Sequence, residues 1–543
     1  MKNKLEELLV PPDPNVEYEC SLETKSKGFT LLMKLVLLTK EYFFLEDYII
    51  KYILDHKEEL NKQKEKGWSA LMLASIFSKT KSTENTIKIL IDAKVDVNLK
   101  NNIGQTALIN ACRNSNTYST EKTVKMLIDA GADLNLKTNE GLTALMSSCR
   151  HSNKDSSEKT VKMLIDAGVD LNLKNDEGWT SLMLACRLSS KDSTENTVKL
   201  LIDARVDLNL KTNKGHTALM LSCTYSSNDG SENTVKMLID AGVDLNLKDN
   251  YGGTALMIAC RYSNNGSSEK TVKMLIDAGA DLNLKDNDGW TSLMLACEIS
   301  SKNSTENTVK LLIDAGADLN LKNDEGNTAL MLACRLSNKV SSEKTVKMLI
   351  DAGANLNLKD NTGWTALMLS CRYSKTDSSE NTVKMLIDAG ADLNLKNDKG
   401  DTALIIVSKD QNENVIKMLM DNNVIFTIEN FKKCDGFLDK NIFQILSEYL
   451  INLNIKKYIS RTNYLNVIKH IPYFNKVLRF RYGTISQKII KYKFQIGNKS
   501  DNHILNLTFS EIMQNDKQIL DYLNINNSQE LYKLKEYVDF WAS

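Results

Sequence analysis

The sequence predicts an all-α solenoid of stacked two-helix repeats, followed by a small helical C-terminal domain. Three observations predict it. Gly67, Gly104, Gly141, Gly178, Gly215, Gly252, Gly289, Gly326, Gly363 and Gly400 stand 37 residues apart, with one recurring stretch of sequence around each. The only four prolines are Pro11, Pro12, Pro14 and Pro472, so the long middle is free of the residue that breaks helices. After about residue 427 the period vanishes while the apolar content stays high. A chain of 543 residues is also too long for one compact core.

The recurring unit reads as two short helices. In the fifth copy, NDEGWTSLMLACRLSSKDSTENTVKLLIDARVDLNLK, Thr180 can cap the first helix with its hydroxyl. Leu182, Met183, Ala185 and Cys186 follow at helical spacing. The polar run SSKDS breaks the helix, and Thr194 with Glu195 opens the second, the acid favoured by the helix dipole. Val198, Leu201 and Ile202 form its buried stripe. Most copies then carry a glycine suited to a left-handed cap, but Lys94 and Arg205 replace it in two. The segment DLNLK that follows is a short extended turn into the next unit. No unit can bury its apolar face alone, so neighbours must stack. The expected organisation is an N-terminal segment 1–26, a degenerate first repeat 27–65, an array of about ten units over 66–426, and a helical C-terminal domain 427–543.

G-x-T-A-L followed by VKMLIDAGADLN resembles the ankyrin repeat, and the resemblance covers residues 27 to about 426. It implies a protein-binding module whose turn tips and inner, concave first-helix face touch a partner. Three departures matter. The family's Pro and His in T-P-L-H are Ala or Ser and Met here, as in Thr143-Ala144-Leu145-Met146, which removes a histidine hydrogen bond and substitutes apolar packing. The units run four residues longer than the usual 33, with the excess between the helices, and the unit from Gly400 returns to the shorter spacing. The copies are also unusually alike.

Columns that vary within this constant frame are candidates for recognition. The residue after each glycine includes Trp68, Trp179, Trp290 and Trp364, four of the chain's five tryptophans. Tryptophan is favoured at interfaces, although packing over its own hairpin is the alternative. A second column, Arg113, Arg150, Arg187, Arg261, Arg335 and Arg372, follows the first helix's buried cysteine, interrupted by Thr224 and Glu298, and by the resemblance lines the concave face. Beside it stand Tyr225, Tyr262 and Tyr373. A third is the lysine before each turn, from Lys100 to Lys396. Together they predict a basic surface interleaved with aromatics and a partner protein with an acidic surface. The alternative is that these charges are balanced by the regular Asp and Glu of the second helix and loops.

Cysteine recurs once per unit from Cys112 to Cys371. Copies one repeat apart are too distant for a disulfide or a shared zinc ion, so these thiols are expected in the core in place of the family's alanine. The five histidines are scattered, and Gly497-Asn498-Lys499-Ser500 lacks the leading glycine of a phosphate loop. No catalytic residue, metal or cofactor is expected.

Net charge is zero, so no overall field favours nucleic acid or a membrane. The early apolar stretch Leu31–Leu54 carries six charged residues, too many for a membrane span, and no secretory signal is evident. The expected compartment is the cytosol or nucleus, where thiols stay reduced.

The C-terminal region holds eleven Lys or Arg and one acid between Asn441 and Ser500, then seven acids and three lysines from Asp501 onward. Residues Leu438–Leu450 with Tyr473–Val477 are similar to a divergent F-box, although Leu-Pro is Leu-Asp here and the spacing to Leu450 is one residue too long. Ankyrin arrays ending in such segments occur in proteins of large DNA viruses, which implies an intracellular site in a host cell. The alternative is an unrelated helical cap over the array's last apolar face. Three functions follow: a non-enzymatic interaction scaffold; a substrate adaptor that recruits a ubiquitin ligase through the C-terminal region; and nucleic-acid binding through the basic segment 456–499.

Overall fold

The computed structural model describes residues 29–427 apart from 65, 189–192, 225–230, 265–266 and 423, together with Asn430, Lys433, Cys434, Ile442, Ile445 and Leu446. Among them are twenty-two α-helices, from Leu31–Val36 to Glu413–Asp421, a turn of 3-10 helix at Lys57–Glu59, and no strand beyond one bridge between Lys64 and Trp68. The fold is an all-α solenoid of helix pairs.

Each pair begins where a hydroxyl caps a short helix. Thr106 accepts the Ile109 N–H at 3.2 Å to open the helix Ala107–Arg113. Thr120 accepts from Thr123 at 3.1 Å to open Glu121–Asp129, with Glu121 in its first turn. Helices of seven and nine residues are too short to persist alone. They persist because Leu108, Cys112, Val124 and Leu127, at 0–1% exposure, pack against equivalents in adjoining repeats. First helices crowd onto one another more closely than second helices do.

Two glycine columns differ in purpose. Gly104 has φ +79, and a Cβ there would stand 2.6 Å from the backbone nitrogen of Asn139 in the next repeat. Glycine is required both by conformation and by the approach of that turn. Gly131, at the end of a second helix, also has a left-handed φ of +82, but a Cβ would meet nothing within 4 Å. There only the torsional cost remains, so Lys94 (φ 67) and Arg205 (φ 61) are tolerated in that column.

The joints between repeats are hydrogen-bonded as well as apolar. The Ile103 carbonyl accepts the Asn139 N–H at 3.0 Å, and the same bond recurs from turn to turn. In each DLN triplet the aspartate accepts its own asparagine's N–H, as Asp133 does from Asn135 at 2.9 Å. The asparagine side chain then accepts from the next repeat, as Asn135 does from the Asp170 N–H at 3.0 Å. The four-residue excess also forms a joint: the Asn116 N–H meets the Asp155 carbonyl at 2.9 Å in the following loop.

The histidine departure is compensated twice. Met183, 1% exposed, packs in the core, and its Sδ takes the Thr180 N–H at 3.5 Å. Between repeats, buried hydroxyls form a zipper: Thr160 donates to Ser115 and Thr197 to Ser152, both at 2.7 Å. Apolar packing therefore replaces only part of what the histidine supplies.

The chain divides into two compact units, one of residues 1–333 and 339–354, the other of 334–338 and 355–543. The same joints occur inside the second unit. Ser337 meets Thr382 at 2.7 Å, and the Asp392 N–H donates to Asn357 at 2.9 Å. Its last pair, Ala403–Asp410 and Glu413–Asp421, is linked by Gln411 in the left-handed region and by Asn412, which caps the second helix. Asn412 Nδ2 donates to Ser374 Oγ at 3.0 Å, filling the place of the missing loop hydroxyl. Beyond the pair, Lys433 Nζ donates to the Gly400 carbonyl at 3.0 Å, and Cys434 is fully buried with its thiol 3.9 Å from the Ile405 carbonyl.

Candidate protein-interaction surface

Side chains occupied by the joints separate cleanly from those left over. The glutamate opening each second helix is occupied. Glu84 accepts from Thr120 at 2.8 Å and pairs with Lys122 at 2.8 Å, both in the next repeat. Glu121, Glu158, Glu232, Glu269 and Glu306 each accept the following repeat's cap hydroxyl in the same way. Burial alone would push the Glu84 carboxyl up, but hydrogen bonds from Lys122 and Thr120 and the lysine's charge outweigh it and hold it below the usual 4.5. Glu232 and Glu306 are lowered for the same reasons, with Lys270 and Lys344 as partners.

The lysine column is also occupied. Lys137 Nζ donates to the Lys174 carbonyl at 2.7 Å, Lys174 to Lys211 at 2.7 Å, and Lys211 to Lys248 at 2.6 Å. These lysines stitch turns together in addition to carrying charge.

The arginine column is different. Arg150, Arg187, Arg261 and Arg372 are exposed, and Arg113 and Arg335 half-buried. Arg187 lies over the Trp179 ring at 5.1 Å and Arg261 over the Tyr262 ring at 6.0 Å, so each guanidinium has a face covered and its N–H edge left over. Among the described residues, Arg113, Arg150, Arg187 and Arg261 form no ion pair; the glutamates that would neutralise them are engaged along the second helices. Arg372 does bond an acid, its Nη1 reaching the Asp410 carboxylate. Burial pushes the Asp410 carboxyl up against the opposing pull of Arg372.

The four tip tryptophans do not behave alike. Trp68 is 7% exposed, so its ring is committed to packing, whereas Trp179, Trp290 and Trp364 are half-buried. Their backbone N–H groups are fixed by Asn175, Asp286 and Asp360 at 2.7–2.8 Å, which aims the rings consistently. Tyr262 and Tyr373 are half-buried, and Tyr225 lies outside the described residues.

One column escaped the sequence reading. The residue before each turn glycine from Gly67 to Gly400 is exposed, and two of these are large and apolar: Ile103 at 57% and Tyr251 at 72%. Its backbone is fixed by the turn ladder while its side chain varies through Lys66, Ile103, Glu140, Glu177, Lys214, Tyr251 and Asp288. That variation was the available signal, masked by the tryptophans two positions later.

The thiols sit in the core. Cys112 and Cys186 are 0% and 1% exposed, and burial pushes both up to about 12. Among the described residues no group of three His, Cys, Asp or Glu could hold a metal ion, and no helix is long and apolar enough to cross a membrane. The F-box-like stretch and the basic segment 456–499 lie outside the described residues, apart from Ile442, Ile445 and Leu446.

A family model described as ankyrin repeats (3 copies) matches in overlapping windows that run from 41–138 to 293–397, about two thirds of the chain. The chain belongs to the ankyrin-repeat family. Ankyrin repeats generally mediate protein–protein interaction. This ankyrin array extends beyond the matched stretch on both sides, by the helix Leu31–Val36 before it and the pair Ala403–Asp410 and Glu413–Asp421 after it. A search of curated proteins gave no match.

Proposed function

We propose that this ankyrin array is a non-enzymatic scaffold that binds an acidic partner protein along its turn tips and the ends of its first helices. The observation that carries the reading is the contrast in charge use. Acids along the second helices are tied into the joints, while Arg113, Arg150, Arg187 and Arg261 form no ion pair among the described residues. Trp179 lies under Arg187, and the half-buried Trp290 and exposed Tyr251 add aromatic area at the turn tips, residue types enriched in protein interfaces. Fully buried thiols suit the reducing compartment expected from the sequence.

The test replaces Arg150, Arg187 and Arg261 together by Glu. Because these side chains are exposed and form no ion pair among the described residues, thermal unfolding should shift little, while recovery of partner proteins by affinity capture should fall to background. An unchanged set of captured partners sinks the reading.

For the C-terminal region we favour the cap over the ubiquitin-ligase adaptor and its viral setting. Lys433 and Cys434 fold back onto the last helix pair, as a cap does. An adaptor predicts that removing residues 427–543 abolishes capture of ligase components and leaves the array intact. A cap predicts that the same truncation destabilises the last pair.

A further inference from the structure

We infer that the segment held by the arginine row is an extended stretch of acidic polypeptide carrying a carboxylate at about every third residue; this rests on the reading that the ends of the first helices form a binding edge. Arg113, Arg150 and Arg187 end or nearly end the first helices of three consecutive repeats, Thr224 interrupts, and Arg261 resumes the row. All belong to one compact unit.

The spacing selects the ligand's conformation. Stacked helices lie about 8–10 Å apart, and an extended chain of polyproline-II type advances about 3.1 Å per residue, so one repeat corresponds to about three residues. A helical ligand rising 1.5 Å per residue needs about six residues per repeat, and six residues rotate its side chains well away from the row. An extended chain of polyproline-II type turns once in three residues, so every third side chain returns to the same face and a carboxylate stands opposite each arginine.

The row also sets a register. Arg187 and Arg261 have a flat face covered by Trp179 and Tyr262, which orients the N–H edges for paired bonds to a carboxylate. The Thr224 hydroxyl already donates to the Met220 carbonyl at 2.9 Å, so a neutral ligand residue fits there. Glu298 takes the arginine's place one repeat beyond Arg261, so no cation of the row calls for an acid there. The expected ligand places acids opposite Arg113, Arg150, Arg187 and Arg261, a neutral residue opposite Thr224 and a neutral or basic one opposite Glu298.

The test uses the full chain and two fluorescent peptides of about twenty residues, long enough to span six repeats at extended spacing. Their compositions are identical, one with Glu at every third residue except for neutral residues at the positions opposite Thr224 and Glu298, and the other with the same glutamates in a block. Anisotropy should show the spaced peptide binding about tenfold tighter at low salt, and Arg187→Gln or Arg261→Gln should each weaken it about fivefold. Thr224→Arg should tighten a peptide that has Glu at the omitted position and leave the neutral one unchanged. Equal affinity for the two peptides, no binding of either, or equally tight binding of a single-stranded oligonucleotide of matched charge overturns the inference. Where both peptides bind equally and Arg150→Glu/Arg187→Glu/Arg261→Glu abolishes both, the spacing falls and the binding edge stands. Where that variant changes neither, the edge falls as well.

Discussion

The two long edges of a repeat make opposite use of charge. Along the second helices, Glu84 and its equivalents accept a hydroxyl from the next repeat, and several also pair with its lysine. Along the first helices, Arg150, Arg187 and Arg261 reach no carboxylate among the described residues and rest at most on an aromatic ring. Both edges come from one repeated stretch of sequence, so the difference does not lie in composition. It lies in which side chains cross to a neighbour. Groups that cross are joints and hold the stack together; groups that do not are display positions and are free to differ.

The largest effect that would break this division is at a turn. Gly252→Ala combines a φ of +80 with a Cβ 2.6 Å from Asn287 N, and should cost about 3 kcal/mol or more. Gly242→Ala has a φ of +81 but no neighbour within 4 Å, and should cost about 1 kcal/mol. Urea unfolding of the two variants measures both; equal costs would show that the turns are not joints.

A smaller effect is expected in the hydroxyl zipper. Thr197→Val leaves the buried Ser152 hydroxyl without its 2.7 Å partner and should cost about 1–3 kcal/mol, with the core volume nearly unchanged. A neutral result would mean that the existing Ser152–Ser193 bond, at 3.1 Å, satisfies Ser152 without Thr197.

The smallest effect is a dependence on pH. The folded carboxyls of Glu84, Glu232 and Glu306 are held below the unfolded value of 4.5, so the unfolded state takes up protons first as acid is added. Their stabilisation is present above 4.5 and is lost as the pH falls through the lower folded values. The urea midpoint should fall across that window, and by less in a Glu84→Gln/Glu232→Gln/Glu306→Gln variant. Identical pH profiles would remove these acids from the joints.

The helix pairs, the loop excess and the buried thiols were all legible from the 37-residue period, because a period states which positions are equivalent. It does not state which positions touch. Thr197 meets Ser152 at a separation of 45, Asp170 meets Asn135 at 35, and Thr120 meets Glu84 at 36. Residues in different columns therefore make most of the joints, and aligning like with like conceals them. For the same reason the lysines looked like a free basic surface, although Lys137 and its equivalents reach across to a carbonyl. The tip residues Ile103 and Tyr251 were legible in principle, since variation at a position with a fixed backbone is visible in the sequence.

The uniform offsets of these bonds bear on inheritance. Excising residues 178–214 would bring Asp244 to the separation from Asn172 that Asp207 now has, and Lys248 to the separation from Lys174 that Lys211 now has. A gene that drops or copies one whole module in register would encode a chain with every such bond closed, so length and the set of displayed residues can change in a single genetic step while the fold is kept.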